Sequence, residues 1–402
     1  MPANAARRPF VKLFFTINQD LFDGSAHSLY CYRNCAALAA TAPANWSVEL
    51  VFPGPSIFRA SDETAKAAAH FQLSGHPLRV IALPSWRKKK HSKGFTLNAW
   101  FHHQAARYLA TNSSQGDLFV TASFPKLARF MADRPCLRSN LQFVYEVHQL
   151  ARLEYERNSP QAKAERQALA SADLLVTTTD VLKSLLREDF PQVPCLNLGL
   201  ACVGSHQAIP EPASLDQGLR LGYIGSVYPG QGVDWLLESW AGIRQNLGQE
   251  AKLLIAGGSQ KDLAGLRRKA EGGAAAAVEF LGRISQADVP SFLARVNALV
   301  IPAMNEGRMP FVAITKAYDY LTYGRPVIAS ELPSITEVMR PGKEAMGFKP
   351  GSAESLLNGL RNLIFSPDLA TRMVQASKVR AGEFDPHLRA RKYWRRLADS
   401  TM

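Results

Sequence analysis

The sequence predicts an α/β protein of two doubly wound domains facing each other across a cleft, and three observations predict it. Short apolar, β-branched runs alternate with longer helical patterns from end to end. The runs are almost continuously hydrophobic, as strands of a parallel sheet covered on both faces must be. The alternation lapses once in mid-chain and then restarts, and 402 residues are too many for one ordinary core.

In the first half VKLFFTI, SVELVF, LRVIAL, DLFVTA, LQFVYEV and DLLVTTT read as strands, with helices such as HSLYCYRNCAALAA between most of them. The pattern lapses in SHQAIPEPASLDQG, which is polar and contains proline. The expected organisation is a first domain over residues 1–205, a linker over 206–218, a second domain over 219–384, and a C-terminal helix over 385–402 that packs back on the first. The second domain reads LRLGYIG, helix VDWLLESWAGIRQ, AKLLIAG, helix DLAGLRRKA, AVEFLG, helix VPSFLARV, ALVIPA, a helix opening near Ile314, and RPVIAS. Between them GGAAAAV reads as a loop before a strand. Ligands of such sheets bind outside the carboxyl ends of the strands.

Composition is globular, with 47% hydrophobic and 20% charged residues. No apolar run is long enough to span a bilayer. FVKLFFTI is broken by Lys12 and followed by Asn18, Gln19 and Asp20. Arg7 and Arg8 precede it, but no small-residue cleavage site follows, so the expected location is cytoplasmic. The five cysteines, Cys31, Cys35, Cys136, Cys195 and Cys202, are scattered and odd in number, which does not describe a disulfide framework. Cys31 and Cys35 lie one helical turn apart with no cluster of partners nearby, and read as small apolar residues of a helix rather than metal ligands.

The net charge of +13 points to an anionic partner: a nucleotide, nucleic acid or anionic lipid. SWRKKKHSKGF, residues 85–95, and the C-terminal RARKYWRRL mix cations with tryptophan. Such runs suit an anionic membrane surface, which gives a peripheral location, or are plain solvated faces. No helix-turn-helix, zinc-finger or RNA-binding signature supports nucleic acid as the partner.

The segment ITKAYDYLTYGRPVIAS, residues 314–330, carries the sharpest signal. Pro310 suits the first turn of a helix, Gly324 a left-handed cap, and Pro326 blocks continuation. Ile314, Ala317, Tyr318 and Leu321 form the buried stripe, which places Lys316, Asp319 and Thr322 on another side. Lys316 and Asp319 are then either a surface pair worth about 0.2–0.5 kcal/mol or ligand contacts. In the second case Lys316 and the helix N-terminus meet a diphosphate, and Asp319 meets a ribose diol. GYIGSVYPGQGVDWLLESW supplies a glycine-rich turn, including Gly225 and Ser226, whose amides can approach a phosphate. FLGRIS puts Arg283 and Ile284 at the carboxyl end of a strand. In the first domain Asp23, Gly24, Ser25 and His27 follow the first strand, and Glu146 and His148 follow a later one.

In order and spacing these segments resemble the retaining nucleotide-sugar glycosyltransferases of the GT-B fold, in particular the large family 4. The resemblance covers most of the chain. It rests on the glycine-rich turn and VDWLLESW, on LLIAGG, VEFLGRI and VNALVIPA, on VYEVHQL and ALASADLLVTTTDVL, and above all on TKAYDYLTYGRPVIAS. It implies two Rossmann-like domains, a UDP- or GDP-sugar donor bound in the second, and a glycan or lipid-linked glycan acceptor bound mainly in the first. It also implies that neither metal nor other cofactor is needed. Asp319 matches the family's second acidic residue, usually glutamate, on the ribose. Arg283 and Ile284 match the segment that receives the base, Gly24 the loop near the diphosphate, and His148 the histidine near the sugar. Glu337, in SITEVM, is similar to a position near the donor, and His27 and Glu146 fall on the acceptor side.

The chain departs from the family at three places. Ser226 and Gln231 stand in a turn where members often carry Arg and Lys, which leaves Lys316 and Arg283 to meet the diphosphate. The first acidic residue should lie eight positions before Asp319, where this chain has Phe311, and Glu306 substitutes if NEGRMP forms a bulge. Asp319 is itself shorter than glutamate. The expected catalytic set is therefore His148, Lys316, Arg283 and Glu306, acting mainly as preorganised positive potential around the leaving diphosphate. The leaving phosphate takes the acceptor's proton, so no dedicated base is required. Two other readings compete: a sugar-nucleotide 2-epimerase of the same fold, which needs acidic groups in the cleft, and a non-catalytic nucleotide-sugar sensor or scaffold, suggested by Ser226, Gln231 and Phe311.

Overall fold

A computed structural model of the chain describes residues 10–86, 98–202, 210–211, 218–248, 250–270 and 277–400. Most of the basic run at 85–95, most of the linker and most of GGAAAAV lie outside the described residues. The chain divides into two compact units, one of Met1–Thr178, Leu182–Gly199 and Pro386–Met402, the other of Thr179–Val181 and Leu200–Asp385.

The first unit is built on strands β1 (Val11–Thr16), β2 (Trp46–Pro53), β3 (Ser61–Asp62), β4 (Arg79–Leu83), β5 (Asp117–Ala122), β6 (Leu141–Val147), β7 (Leu174–Thr177) and β8 (Cys195–Asn197). They lie in the order β3-β4-β2-β1-β5-β6-β7-β8. All pairs are parallel except β3 with β4, an antiparallel edge of two residues. Neither β3 nor β8 is legible in the sequence, since the two exposed residues of one and the three half-buried residues of the other carry no periodicity. Strand β1 shows why the middle of such a strand is apolar on both faces. Leu13 and Phe15 join the core on one face, and Phe14 joins the core on the other.

On the first of those faces the helix Ala26–Ala40 buries Cys31, Cys35 and Leu38. The helix Pro386–Ser400 packs there as well, through Tyr393, Trp394 and Leu397. Trp394 Nε1 donates to the Leu38 carbonyl at 3.0 Å. This corrects the membrane reading of RARKYWRRL, because its two aromatic rings are core groups and not interfacial ones.

The second unit is built on β9 (Arg220–Ile224), β10 (Lys252–Ala256), β11 (Val278–Gly282), β12 (Ala298–Ile301), β13 (Val327–Ser330) and β14 (Met346–Phe348). They form a parallel sheet in the order β11-β10-β9-β12-β13-β14. Here β14 is the strand the sequence reading lacks. In both units the chain winds outward from a central strand and returns to its other side. The order therefore reverses between β1 and β5, and between β9 and β12. Open α/β sheets form their ligand crevices at the carboxyl ends of the strands at such reversals.

Candidate functional site

In the second unit the chain leaves β9 through a glycine-rich turn, and Lys316 enters it from the opposite side of the reversal. The helix carrying Lys316 spans only Thr315–Tyr320, so Pro310 lies ahead of it and not in its first turn. Gly324 is left-handed, with φ of 61°. The short helix is buried on more than one side. Lys316 is 8% exposed and Tyr320 1%, which corrects the expectation that Lys316 faces away from the buried stripe.

The Lys316 ammonium donates to Tyr223 Oη at 2.9 Å and to Gln231 Oε1, and lies 4.7 Å from the centre of the Tyr223 ring. Burial pushes its pKa down to about 7, against an opposing pull from Asp319. These two hydrogen-bond partners are uncharged, so an anion brought to this point would meet a cation in low dielectric. The local sequence makes room for it. A Cβ on Gly225 would stand 2.7 Å from Lys316 Cε, so that glycine lets the lysine stem pass. Gly232 has φ of 74°, and a Cβ there would stand 1.7 Å from the Pro302 carbonyl oxygen. The turn thus runs directly against the chain leaving β12.

Gln231, the residue standing in a turn where the resembled family often has cations, is 4% exposed. Its Oε1 accepts from Lys316 and its Nε2 donates to Tyr228 Oη at 2.7 Å. Ser226 is exposed, and its carbonyl accepts from Tyr223 Oη. Tyr320 Oη accepts from the Ile224 N–H at 2.8 Å, which ties the end of β9 to the same short helix.

Glu306 is exposed on a run of turns that docks on the glycine-rich turn. Met304 N–H donates to the Gly230 carbonyl at 2.9 Å, and a Cβ on Gly230 would lie 3.8 Å from Glu306 Oε1. The segment makes successive turns, closed by Met309 N–H on Glu306 O and Phe311 N–H on Arg308 O, in place of the expected bulge. The same turns set Arg308 5.6 Å from the Tyr228 ring, a cation the sequence reading passes over. Phe311 offers its carbonyl to Thr179 Oγ1 at 2.7 Å.

The remaining second-unit residues are not gathered at Lys316. Arg283 is exposed at the end of the edge strand β11, with Ile284 half-buried beside it. Two strand spacings of about 4.8 Å put that strand end on the order of 10 Å from β9. Asp319 is half-buried one helical turn from Lys316. Glu337 accepts from the Asp180 N–H at 2.9 Å, and burial pushes its carboxyl up to about 7.

In the first unit a second cluster sits at the carboxyl edge. Glu146, at the end of β6, is fully buried. Its Oε2 accepts from Tyr30 Oη at 2.8 Å and stands 3.5 Å from His148 Nε2, and its Oε1 lies 3.6 Å from Arg389. His27 contacts His148 edge to face, with ring centres 5.4 Å apart. Burial, reinforced by His148, pushes His27 down to about 4, so at neutral pH it is an uncharged ring. Gly24 is exposed with φ of 71°. Beside it burial opposes ionisation of Asp23, yet hydrogen bonds from Ser25 and Ser28 hold that carboxyl below its usual range. Gly24 thus has a carboxylate for a neighbour, which disfavours a second anion there. Tyr30 and Arg389 are absent from the sequence reading, because a tyrosine inside a helix and an arginine in a basic tail carry no local signal of their partners.

Residues 218–365 match the family of glycosyl transferases group 1. That match supports a glycosyltransferase. Among curated proteins none matches the chain. Among solved structures, sucrose-phosphate synthase from Thermosynechococcus elongatus is 17% identical, with a TM-score of 0.73 over 97% of this chain and 98% of its own. The Anabaena protein HepE, solved in complexes with UDP and with UDP-glucose, is 12% identical in the UDP complex, with a TM-score of 0.71 over 97% of this chain and 100% of its own. The apo lipopolysaccharide outer core galactosyltransferase WaaB is 15% identical, with a TM-score of 0.69 over 98% of this chain and 100% of its own. At these identities the likeness establishes the fold, two parallel-sheet Rossmann-like domains of the GT-B kind. Among the described residues no cluster of histidine, cysteine or carboxylate side chains is arranged to hold a metal ion.

Proposed function

We propose that the chain transfers a sugar from a nucleotide diphosphate, with UDP as the first choice of base, to a hydroxyl of a glycan or lipid-linked glycan, with retained configuration and without a metal. The observation that carries this reading is the buried Lys316 ammonium at the reversal between β9 and β12, beside the glycine-rich turn. Transfer separates a sugar cation from an anionic diphosphate, and a desolvated, fixed cation stabilises that charge more than it stabilises the bound donor. Lys316 does so from the helix, in place of a basic residue in the turn. Asp319 takes the ribose hydroxyls, and Arg283 with Ile284 lines the base. His148 contacts the sugar.

The preference for UDP is drawn from HepE, whose solved complexes hold UDP and UDP-glucose. Titrating the purified protein with UDP, GDP and ADP, followed by a mass-spectrometric screen of UDP- and GDP-sugar turnover, tests the proposal. Failure of all three nucleotides to bind at millimolar concentration would sink it. Binding of UDP without hydrolysis or transfer of any UDP-sugar would favour a nucleotide-sugar sensor, the reading that the replacements at Gln231 and Phe311 suggest.

A further inference from the structure

The C-terminal helix Pro386–Ser400 sends one charged side chain into the core of the first unit. Arg389 is 3% exposed. Its guanidinium donates to Tyr30 Oη at 2.9 Å, to Asn34 Oδ1, and from Nε to the Gly199 carbonyl at 3.0 Å. It also faces Glu146 Oε1 at 3.6 Å. Packing does not require an arginine here, because Tyr393, Trp394 and Leu397 already seat the helix on Ala26–Ala40. A buried ion pair is rarely more stabilising than apolar side chains of the same volume. The pair asks for another reason, and His148 supplies one.

Glu146 Oε2 receives the Tyr30 hydroxyl at 2.8 Å and lies 3.5 Å from His148 Nε2, a long but charge-assisted contact. An ionised carboxylate can only accept. It therefore favours the imidazole tautomer with the proton on Nε2, which leaves the Nδ1 lone pair as the acceptor. The ring plane is fixed as well, edge to face against Tyr30 at 4.7 Å and against His27 at 5.4 Å. The His148 N–H donates to Ser123 Oγ at 3.2 Å, and Ser123 itself holds a left-handed φ of 57° at the end of β5.

We infer that Arg389, acting through Glu146, is a positioning residue for His148, and that the two hold the ring in its Nε2–H tautomer so that Nδ1 is presented to a sugar hydroxyl. The sugar enters by way of the proposed function, and the inference rests on that reading for it. The carboxylate is suited to the role. Burial opposes its ionisation, but Arg389 above all, with His148 and Tyr30, holds its pKa at about 2.

Two-bond proton–nitrogen correlation spectra of the full chain, labelled at the histidine nitrogens, read the tautomer directly, with His148→Gln identifying the signal. The wild type is expected to show His148 as Nε2–H. Arg389→Met leaves Glu146 buried without its cation and is expected to destabilise the chain, so Arg389→Met combined with Glu146→Leu, which removes both charges, is the second variant. This double variant is expected to keep cooperative unfolding and UDP affinity, to lose the Nε2–H preference, and to slow sugar transfer about tenfold to a hundredfold. A wild-type ring protonated on Nδ1, or an Nε2–H ring that persists in the double variant, overturns the inference. Failure of the parent reading shows separately, as absence of UDP binding in the wild type, and leaves the tautomer measurement valid.

Discussion

Lys316 Nζ stands 2.9 Å from the hydroxyl of Tyr223, the penultimate residue of β9, and 4.7 Å from the centre of its ring. This contact brings a cation from one side of the strand-order reversal to the glycine-rich turn on the other. Gln231 accepts from that ammonium, whereas a second cation at the same point would repel it.

Replacing Lys316 by Met should separate function from stability. Loss of one preorganised charge at a leaving group costs about 10²–10³-fold in rate, so transfer is expected to fall by that order and UDP affinity to fall with it. Removing a desolvated ammonium should leave the thermal midpoint unchanged or raised. A variant that loses midpoint and affinity together would identify Lys316 as a structural residue.

The same lysine sets a pH signature. Its folded-state pKa of about 7 lies below its ordinary value of 10.5. Between those values the unfolded chain holds a proton that the folded chain does not, so stability rises with pH across that window. The stability difference between wild type and Lys316→Met should therefore shrink as pH rises from 7 toward 10.5. At pH 8 UDP should bind with proton uptake, read by calorimetry in buffers of different ionisation enthalpy. A pH-independent difference between the two proteins would refute the linkage.

Asp319→Ala should weaken UDP binding about tenfold to a hundredfold, the usual worth of a hydrogen bond to a charged group, with little change in denaturant midpoint. Equal loss of both would return Asp319 to the role of a surface ion-pair partner.

Two left-handed glycines should respond differently to alanine. At Gly232 the Cβ would meet the Pro302 carbonyl oxygen at 1.7 Å, while at Gly24 nothing lies within 4 Å. Gly24→Ala should cost only the left-handed strain of about 1–2 kcal/mol, whereas Gly232→Ala should cost about 3 kcal/mol or more or abolish folding. Urea denaturation of both variants checks the contrast.

Membrane association, an expectation carried by the basic run at residues 85–95, has a neighbour on the described surface. The Ser85 N–H donates to the Ser56 carbonyl at 2.9 Å, which joins the loops after β4 and β2. Trp86 and Phe58 beside it are 58% and 88% exposed. Co-sedimentation with liposomes should require anionic lipid, fall as salt shortens a screening length of about 10 Å, and weaken in Phe58→Ser. Binding indifferent to lipid charge and salt would exclude this surface.

The sequence by itself determined the α/β class and the two parallel sheets, because strands buried on both faces must be apolar throughout, as Leu13, Phe14 and Phe15 are. It did not disclose β3, β8 or β14, whose two or three residues are too short for a pattern. It marked Lys316 as a residue to explain, but the stripe of Ile314, Ala317, Tyr318 and Leu321 gave its direction wrongly. Helical periodicity finds one buried face, and a helix of six residues enclosed on several sides has more than one. Only the tertiary structure decided that Lys316 turns inward to Tyr223 and Gln231, and that Arg389 reaches Glu146. Those partners lie far apart in the chain, and which side chains meet is set by the order of strands in the sheet and by the helix that covers it, neither of which local periodicity encodes.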